Sequence, residues 1–488
     1  MYLNELIRFA SVALALVVSF GVIAATETDP SVLLSFWYLT AVVVLCCSKR
    51  FVSRNPLLLF LALYLAVYYQ LRVADLLLFA EPLSFFPISL MASADMSAAT
   101  SYVASCALAL FLGISVLGRS RSAIKPLELA SYPHPHSFYL PTPRSLFAIQ
   151  LVIYANKYLQ LVLLGGDEFV ANAPLIVKIG ALILNPDVLL LLYFVSADIR
   201  GMLRGKLTIV VVVVYVVARV YLSYSRGGII DAFVFFLAWK VVYEGNIRTV
   251  VSLKNLTRAV GGLAVSIYLF FLVAEIRASD YSFDGPSVTE VIEAGGAQYI
   301  AKTISYRLGS NMDASLYVFS KDYDRESARQ VVNLRQTLQA VVSRVLHLRV
   351  FGEVVFSEHG LAQIIGNEGY YAGDDRVNVA YLWGAPGLSY HLFGYTAGIL
   401  ANVLVGSILG GIFIQMRARS AQSFVHLILA VVVVLVFQSW VTTFGIDNIA
   451  DRYARTLFMM GVSIGGYVFC KRSIRGAQGD VSVAVGEA

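Results

Sequence analysis

The sequence predicts an all-α integral membrane protein: a polytopic bundle of about 12 transmembrane helices with one large loop, containing helices, that faces away from the cytoplasm. Three observations carry this. The 488-residue chain is 58% hydrophobic and only 14% charged, and its mean hydropathy is +0.73; a soluble protein of this length needs far more polar surface. Apolar runs long enough to cross a bilayer, roughly 20 residues each, recur from one end to the other. Lys and Arg collect in alternate connections between those runs.

The runs lie near 6–25, 31–47, 56–79, 97–118, 145–164, 178–198, 207–224, 228–243, 259–276, 388–416, 423–444 and 456–470. Connections on one side hold Lys49, Arg50 and Arg54; Arg119, Arg121, Lys125 and Arg144; Arg200, Arg204 and Lys206; Arg248, Lys254 and Arg258; Arg417 and Arg419; and Lys471, Arg472 and Arg475. The short connections on the other side hold only Arg226, Arg452 and Arg455. The asymmetry puts the first side, with both termini, in the cytoplasm. The least regular runs are 178–198, interrupted by Asn185-Pro186, and 228–243, which carries Asp231 and Lys240. The first run is read as a retained span, because no small-residue cleavage site stands out before Ser31. The chain thus divides into spans over 1–276, a large loop over 277–386, further spans over 387–476, and a small polar tail over 477–488 with the composition of a disordered segment.

The loop is mixed in charge and rich in Arg, Asp, Glu, Tyr and Gly. Its eight arginines do not contradict an outer location, since long domains escape the charge rule. Ser287-Val-Thr-Glu290 after Pro286 reads as a capping box that opens a helix running to about Tyr306. A second helix is expected over 325–348, where Val332, Leu338, Val342, Val345 and Leu346 recur at near-helical spacing. Both are expected on the bundle or membrane surface. The Gly-rich stretch from Gly352 to Gly387 reads as an irregular segment over the mouth of the bundle.

The net charge of +6 sits in short clusters at the ends of spans, which suits anionic inner-leaflet lipid and implies no nucleic-acid partner. Of the four cysteines, Cys46, Cys47 and Cys470 sit at cytoplasmic span ends and Cys106 within an apolar run. None falls in the loop where a disulfide would form, so they read as packing. There is no Walker loop, dinucleotide fingerprint, His-Glu-x-x-His or Cys-x-x-Cys, so nucleotide hydrolysis and a bound metal or cofactor find no support.

What remains is a set of charges at the outer face. Arg226, flanked by Ser225, Gly227 and Gly228, can approach a phosphate closely with its planar fork; the plain alternative is an interfacial arginine reaching lipid headgroups. Arg277, Arg307, Arg349 and Arg376 are further candidates to grip a pyrophosphate, each with a solvated or salt-bridged alternative. For proton transfer the candidates are His359, His391, Glu358, Glu368, Asp374 and Asp375. His391 enters a span, where an ionisable group is costly; the alternative is a histidine hydrogen-bonded to a carbonyl. Within the apolar runs, Arg72 with Asp75 and Arg219 with Asp231 read as structural ion pairs.

Two segments carry a family resemblance. Ser225-Arg226-Gly227-Gly228 with its apolar flanks, and Gly387-Leu-Ser-Tyr390-His391-Leu-Phe393-Gly394-Tyr-Thr-Ala-Gly398, resemble the O-antigen polymerase (Wzy-type) family, the oligosaccharide repeat-unit polymerases of bacterial surface polysaccharide assembly. The layout of many spans, both ends inside and one large periplasmic loop is similar too. The resemblance implies an inner-membrane, metal-independent glycosyltransferase. Its substrates would be two undecaprenyl-diphosphate-linked glycans, and it would transfer the growing chain onto a new repeat unit, with a chain-length regulator protein as a possible partner. Arg226 would bind the donor diphosphate and Tyr390 would contact substrate; the roles of Arg307, Arg349 and Arg376 rest on charge and placement. Related O-antigen ligases carry a His-Asn before the last loop re-enters the membrane, and this chain has none. An O-antigen ligase-type glycosyltransferase is the nearer alternative, and a lipid-linked sugar transporter or flippase the alternative from another class, although no paired internal repeat is evident.

Overall fold

A computed structural model describes residues 2–25, 29–78, 94–117, 141–163, 186–203, 205–223, 227–245, 311–346, 361, 364, 383–420 and 424–442. The expected spans at 259–276 and 456–470, the loop helix from Ser287 to Tyr306, the Gly-rich stretch ahead of Trp383 and the tail lie outside these residues. Among the described residues the chain is helical and contains no strand, only an isolated bridge between Ala94 and Ser320. In chain order the helices longer than a single turn are α1 (Leu3–Ala25), α2 (Pro30–Cys46), α3 (Leu57–Leu78), α4 (Met96–Leu112), α5 (Pro143–Leu163), α6 (Pro186–Ile199), α7 (Lys206–Ser223) and α8 (Gly227–Glu244). Then follow α9 (311–317), α10 (Arg325–Val331), α11 (Leu334–Leu346), α12 (Gly384–Phe393), α13 (Tyr395–Arg419) and α14 (Phe424–Thr442). Four of them, α1, α3, α4 and α13, are long and apolar enough to cross a membrane, and α2, α6 and α14 contain shorter apolar stretches. This is the make-up of a helical membrane protein.

The described chain forms two compact units. The first holds α1–α4, the last turn of α8, and α9–α14. Helix starts follow local chemistry. Asp29 caps α2 by accepting from the Ser31 N–H at 2.8 Å, with Pro30 in the first turn, and Asp95 caps α4 by accepting from the Ala98 N–H at 2.8 Å. In the middle of α3, Leu65–Gln70 widens into a π turn. Gln70 at its end is buried and donates to the Ser11 carbonyl at 3.0 Å and to Thr40 Oγ1 at 2.9 Å, so one amide ties α1, α2 and α3 together. Both N–H bonds of this buried amide are made, and they specify how the three helices meet, while its Oε1 is left without a hydrogen bond among the described residues.

Helix α4 packs against both α2 and α13, and α13 also packs against α12 and α14. The α4–α13 contact is made by backbone. Gly398, Asn402, Gly406 and Gly410 form a buried stripe along α13 at a spacing of four, while Leu400, Leu404, Ile408 and Ile412 on the other face are exposed. A Cβ on Gly406 would stand 2.6 Å from the Leu110 carbonyl oxygen, and one on Gly113 would collide with the Val403 carbonyl. Small residues allow this approach where lipid supplies no hydrophobic drive between helices. Asn402 completes the stripe with all its polar atoms used: its Nδ2 donates to Ser389 Oγ at 3.0 Å and to the Gly398 carbonyl at 2.9 Å, and its Oδ1 accepts from Trp440 Nε1 at 3.2 Å.

The basic ends and the loop-bearing ends of this unit are segregated. Asn4 at the start of α1 donates to the Cys47 carbonyl after α2, Asn55 donates to the Gly410 carbonyl late in α13, and Arg417 donates to the Tyr243 carbonyl. At the other end, 311–346 meets the end of α3 through Arg72 and Asp313, and the start of α4 through the Asp95 N–H and the Phe319 carbonyl, 3.2 Å apart. Cys46, Cys47 and Cys106 are buried free thiols; Cys470 lies outside the described residues.

The second unit holds α5, α6 and α7, which pack on one another, and most of α8. Asp187 accepts from the Tyr215 hydroxyl at 2.7 Å and faces Arg219 at 3.8 Å, so Arg219 meets the start of α6. The expected partner, Asp231, has its side chain outside the described residues. Trp239 Nε1 donates to Asp198 Oδ2 at 2.8 Å.

Two continuous elements, one expected from hydropathy and one from helical periodicity, are broken in the structure. The run at 388–416 is two helices, α12 and α13, separated at Gly394, whose φ of +84° ends one helix and caps the next. The helix expected over 325–348 is split at Val332, which is extended, and restarts at Asn333. There Asn333 Oδ1 accepts from the Gln336 N–H at 2.9 Å while Gln336 Oε1 accepts from the Asn333 N–H at 3.1 Å, a reciprocal cap that begins α11.

Candidate functional site

The site is assembled in the first unit, where α9, the turn after it, α10 and α12 converge beside the starts of α4 and α13. Its floor is an aromatic cluster: Tyr317, Trp383, Leu388 and Leu392 are buried together, with Phe319, Tyr323, Tyr390 and Phe393 packed against them. Tyr390 lies 4.6 Å from Phe319 and 5.5 Å from Tyr102, which in turn contacts Tyr395 at 5.0 Å, ring centre to ring centre.

His391 is fully buried at the centre. Its Nε2 is 2.7 Å from the Val332 carbonyl oxygen and its Nδ1 is 2.6 Å from the Tyr323 hydroxyl. A carbonyl only accepts, so Nε2 carries the proton, Nδ1 is the acceptor, and Tyr323 donates to it. The Trp383 ring lies 4.6 Å away. Burial pulls the His391 imidazole down to about 4, and the nearby positive charges of Arg325 and Arg329 push the same way, against the Val332 hydrogen bond that favours the charged form. Burial also holds the Tyr323 hydroxyl well above the usual phenol range, keeping its proton on. Near neutral pH, His391 is therefore a neutral ring that fixes the Tyr323 hydroxyl and the extended turn at Val332.

Folding His391 neutral has a consequence for pH. The folded value lies below the unfolded one, so the stabilisation is complete above about 6.5 and is lost as pH falls towards 4. At about 1.4 kcal/mol per unit, the loss is on the order of 3 kcal/mol. Acid unfolding of the parent should be steep in that window and flatter in His391→Gln; identical profiles would remove His391 as the titrating group.

Arg325 borders the site. Its Nε donates to the His391 carbonyl at 3.1 Å, and its guanidinium packs where a Cβ on Gly394 would stand, 3.0 Å from Nη1. Glycine is thus favoured at 394 by its dihedral, and any side chain there would have to displace the Arg325 guanidinium. No side chain caps α13 at this point, so a guanidinium and the N-terminus of a long helix lie together.

Deeper, Arg72 on α3 makes a two-pronged bond to Asp313 on α9, with Nε to Oδ1 at 2.9 Å and Nη2 to Oδ2 at 3.2 Å, and also holds Asp75 at 2.5 Å. Arg72 is 1% exposed and Asp313 not at all. The pairing with Asp75 matches expectation; Asp313, 241 residues away in sequence, is an addition. Beside it Asn311 is buried with neither polar side-chain atom hydrogen-bonded. Gly384, at φ +63°, opens α12 against it: a Cβ there would stand 2.5 Å from the Tyr69 hydroxyl and 3.2 Å from the Asn311 carbonyl.

Of the residues singled out from sequence, Tyr390 and His391 stand in this cluster. Arg226, Arg277, Arg307, Arg349, Arg376, His359, Glu358, Glu368, Asp374 and Asp375 lie outside the described residues. Arg325, Tyr323, Trp383 and Asp313 were not singled out, although Arg325 and Asp313 lie in the charged loop that drew attention. Among the described residues no three His, Cys, Asp or Glu side chains converge as a metal site would require. Tyr317 and Trp383 are core, while Phe319, Tyr323, Tyr390 and Phe393 are only partly buried; an aromatic ring suits the apolar face of a sugar and arginine suits an anion. The fold and site thus define a helical membrane protein with an aromatic, arginine-bordered cap on its apolar helices. Compared with protein-family models, curated proteins and solved structures, the chain matches none.

Proposed function

We propose that this chain is a polymerase of undecaprenyl-diphosphate-linked oligosaccharide repeat units, working at the periplasmic face of a bacterial inner membrane. In this reading about 12 helices cross the bilayer, both termini are cytoplasmic, and 277–386 is the periplasmic loop. The observation that carries the proposal is the cap of the first unit: aromatic residues from the loop and from α12, with Arg325 bordering them, gathered where α13 begins.

In the reaction, the bond between the growing chain's anomeric carbon and its diphosphate breaks, and the diphosphate leaves with the electron pair. An acceptor sugar hydroxyl on the new repeat unit forms the glycosidic bond and gives up its proton to a base. Charge accumulates on the leaving diphosphate, so arginines there accelerate the step. Arg226, Arg277, Arg307, Arg349 and Arg376 are proposed for that work, and Tyr390 for sugar contact. His391, His359 and Glu368 are the proposed candidates for the base; both nitrogens of His391 are hydrogen-bonded within the fold, to Tyr323 and to the Val332 carbonyl, so it would have to exchange one of these partners to take a proton. Arg226→Ala and Arg376→Ala should each abolish the polymer ladder in cells while the protein still inserts in the membrane. Full-length polymer from both variants would refute the proposal.

A further inference from the structure

Helix α11 carries an apolar stripe that the fold leaves uncovered. Ala328 and Val332 before it, and Thr337 and Ala340 within it, are buried. Leu334, Leu338 and Val342, spaced by four, are 40%, 55% and 38% exposed. The helix reads LRQTLQAVVSRVL, with Arg335 exposed, Arg344 near its end and no acidic residue; Arg329, one helix earlier, is exposed as well. An exposed apolar stripe on a helix whose only charged residues are Arg335 and Arg344, and which is not itself a span, is the pattern of an element that lies in a membrane interface, although the preceding helix adds Glu326 beside Arg329.

The position of α11 fits the same conclusion. Two residues before it starts, the Val332 carbonyl is fastened to His391, and Arg325 is fastened to the His391 carbonyl and packs on Gly394. Tyr395 is the first residue of a helix of membrane-crossing length. The start of α11 is therefore tied to the end of a spanning helix, the level at which headgroups lie. The outward face of that spanning helix has the same apolar spacing in Leu400, Leu404, Ile408 and Ile412.

We propose that α11 is a lipid-docking helix: Leu334, Leu338 and Val342 enter the acyl boundary of the membrane the chain spans, and Arg329 and Arg335 meet the phosphates of anionic lipid. The occupant of the stripe is bilayer lipid, rather than a second copy or another protein.

The test uses the full chain with its native cysteines replaced by alanine, reconstituted in vesicles of phosphatidylethanolamine and phosphatidylglycerol. A nitroxide is attached singly to Leu334→Cys, Leu338→Cys, Val342→Cys and Arg335→Cys, with Leu400→Cys reporting correct insertion. With the Leu400 label in lipid, labels at 334, 338 and 342 are expected to relax more with oxygen than with a water-soluble nickel chelate, and the label at 335 the reverse. The proposal is overturned if the label at 338 meets the nickel chelate as readily as the one at 335. It is equally overturned if labels at 338 broaden one another while remaining out of lipid, the result for a helix covered by a second copy.

Discussion

Replacing Arg72 with Leu is expected to cost about 3–5 kcal/mol, the range for removing one partner of a buried ion pair. The guanidinium faces two carboxylates, Asp313 with no exposure and Asp75 partly exposed. Taking it away strands negative charge where water cannot reach it and unfastens α9, the first described element of the cap, from α3. The effect should appear as a large fall in thermal midpoint in detergent, and as loss of protection of Tyr317 and Trp383 from solvent. Converting the pair together, Arg72→Met with Asp313→Leu, should restore much of the stability, because apolar groups of similar volume need no compensating charge. A single variant as stable as the parent would mean that the cluster does not hold the cap in place.

Gly406→Ala is expected to cost about 3 kcal/mol, the upper end for inserting one methyl into a packed interface. The added carbon meets the Leu110 carbonyl oxygen at 2.6 Å, and a backbone atom has no rotamer by which to withdraw. Gly411→Ala, one position after the stripe and with nothing within 4 Å of its Cβ, is the control. That change should be neutral or stabilising, since alanine favours a helix over glycine by about 1 kcal/mol. Equal stability of the two variants in thermal unfolding would contradict backbone packing between α4 and α13.

Hydropathy located α1 to α5, α7, α8 and α14 to within a few residues, because each helix is long and its apolar character is a local property. The two breaks that apolar pattern does not show are governed by one or two residues each. Gly394 interrupts an apolar run without changing its hydropathy, and only its left-handed dihedral and the guanidinium packed on it divide α12 from α13. At Asn333 the reciprocal cap with Gln336 was visible as a spacing of three, but lay inside a periodic run that read as one helix.

The candidate site was legible in the same uneven way. The Arg72–Asp75 pair is one helical turn apart, so sequence reveals it. Asp313 is brought to Arg72 by the fold alone, and nothing in its neighbours marks it. His391 stood out as an ionisable group at the start of an apolar run, yet its partners, Tyr323 and the Val332 carbonyl, come from 68 and 59 positions away. The Phe393-Gly394-x-x-x-Gly398 segment that carries the family resemblance has a physical account here: a turn at the first glycine, and at the second a close approach of Tyr102 that a Cβ would block.

The proposed elongation of a lipid-linked glycan is tested on the purified full chain in vesicles supplied with an undecaprenyl-diphosphate-linked oligosaccharide and nothing else. A ladder of products is expected, each one repeat unit longer than the last, with release of undecaprenyl diphosphate. Substrate carried across the vesicle bilayer at its original length, with no ladder, would contradict it.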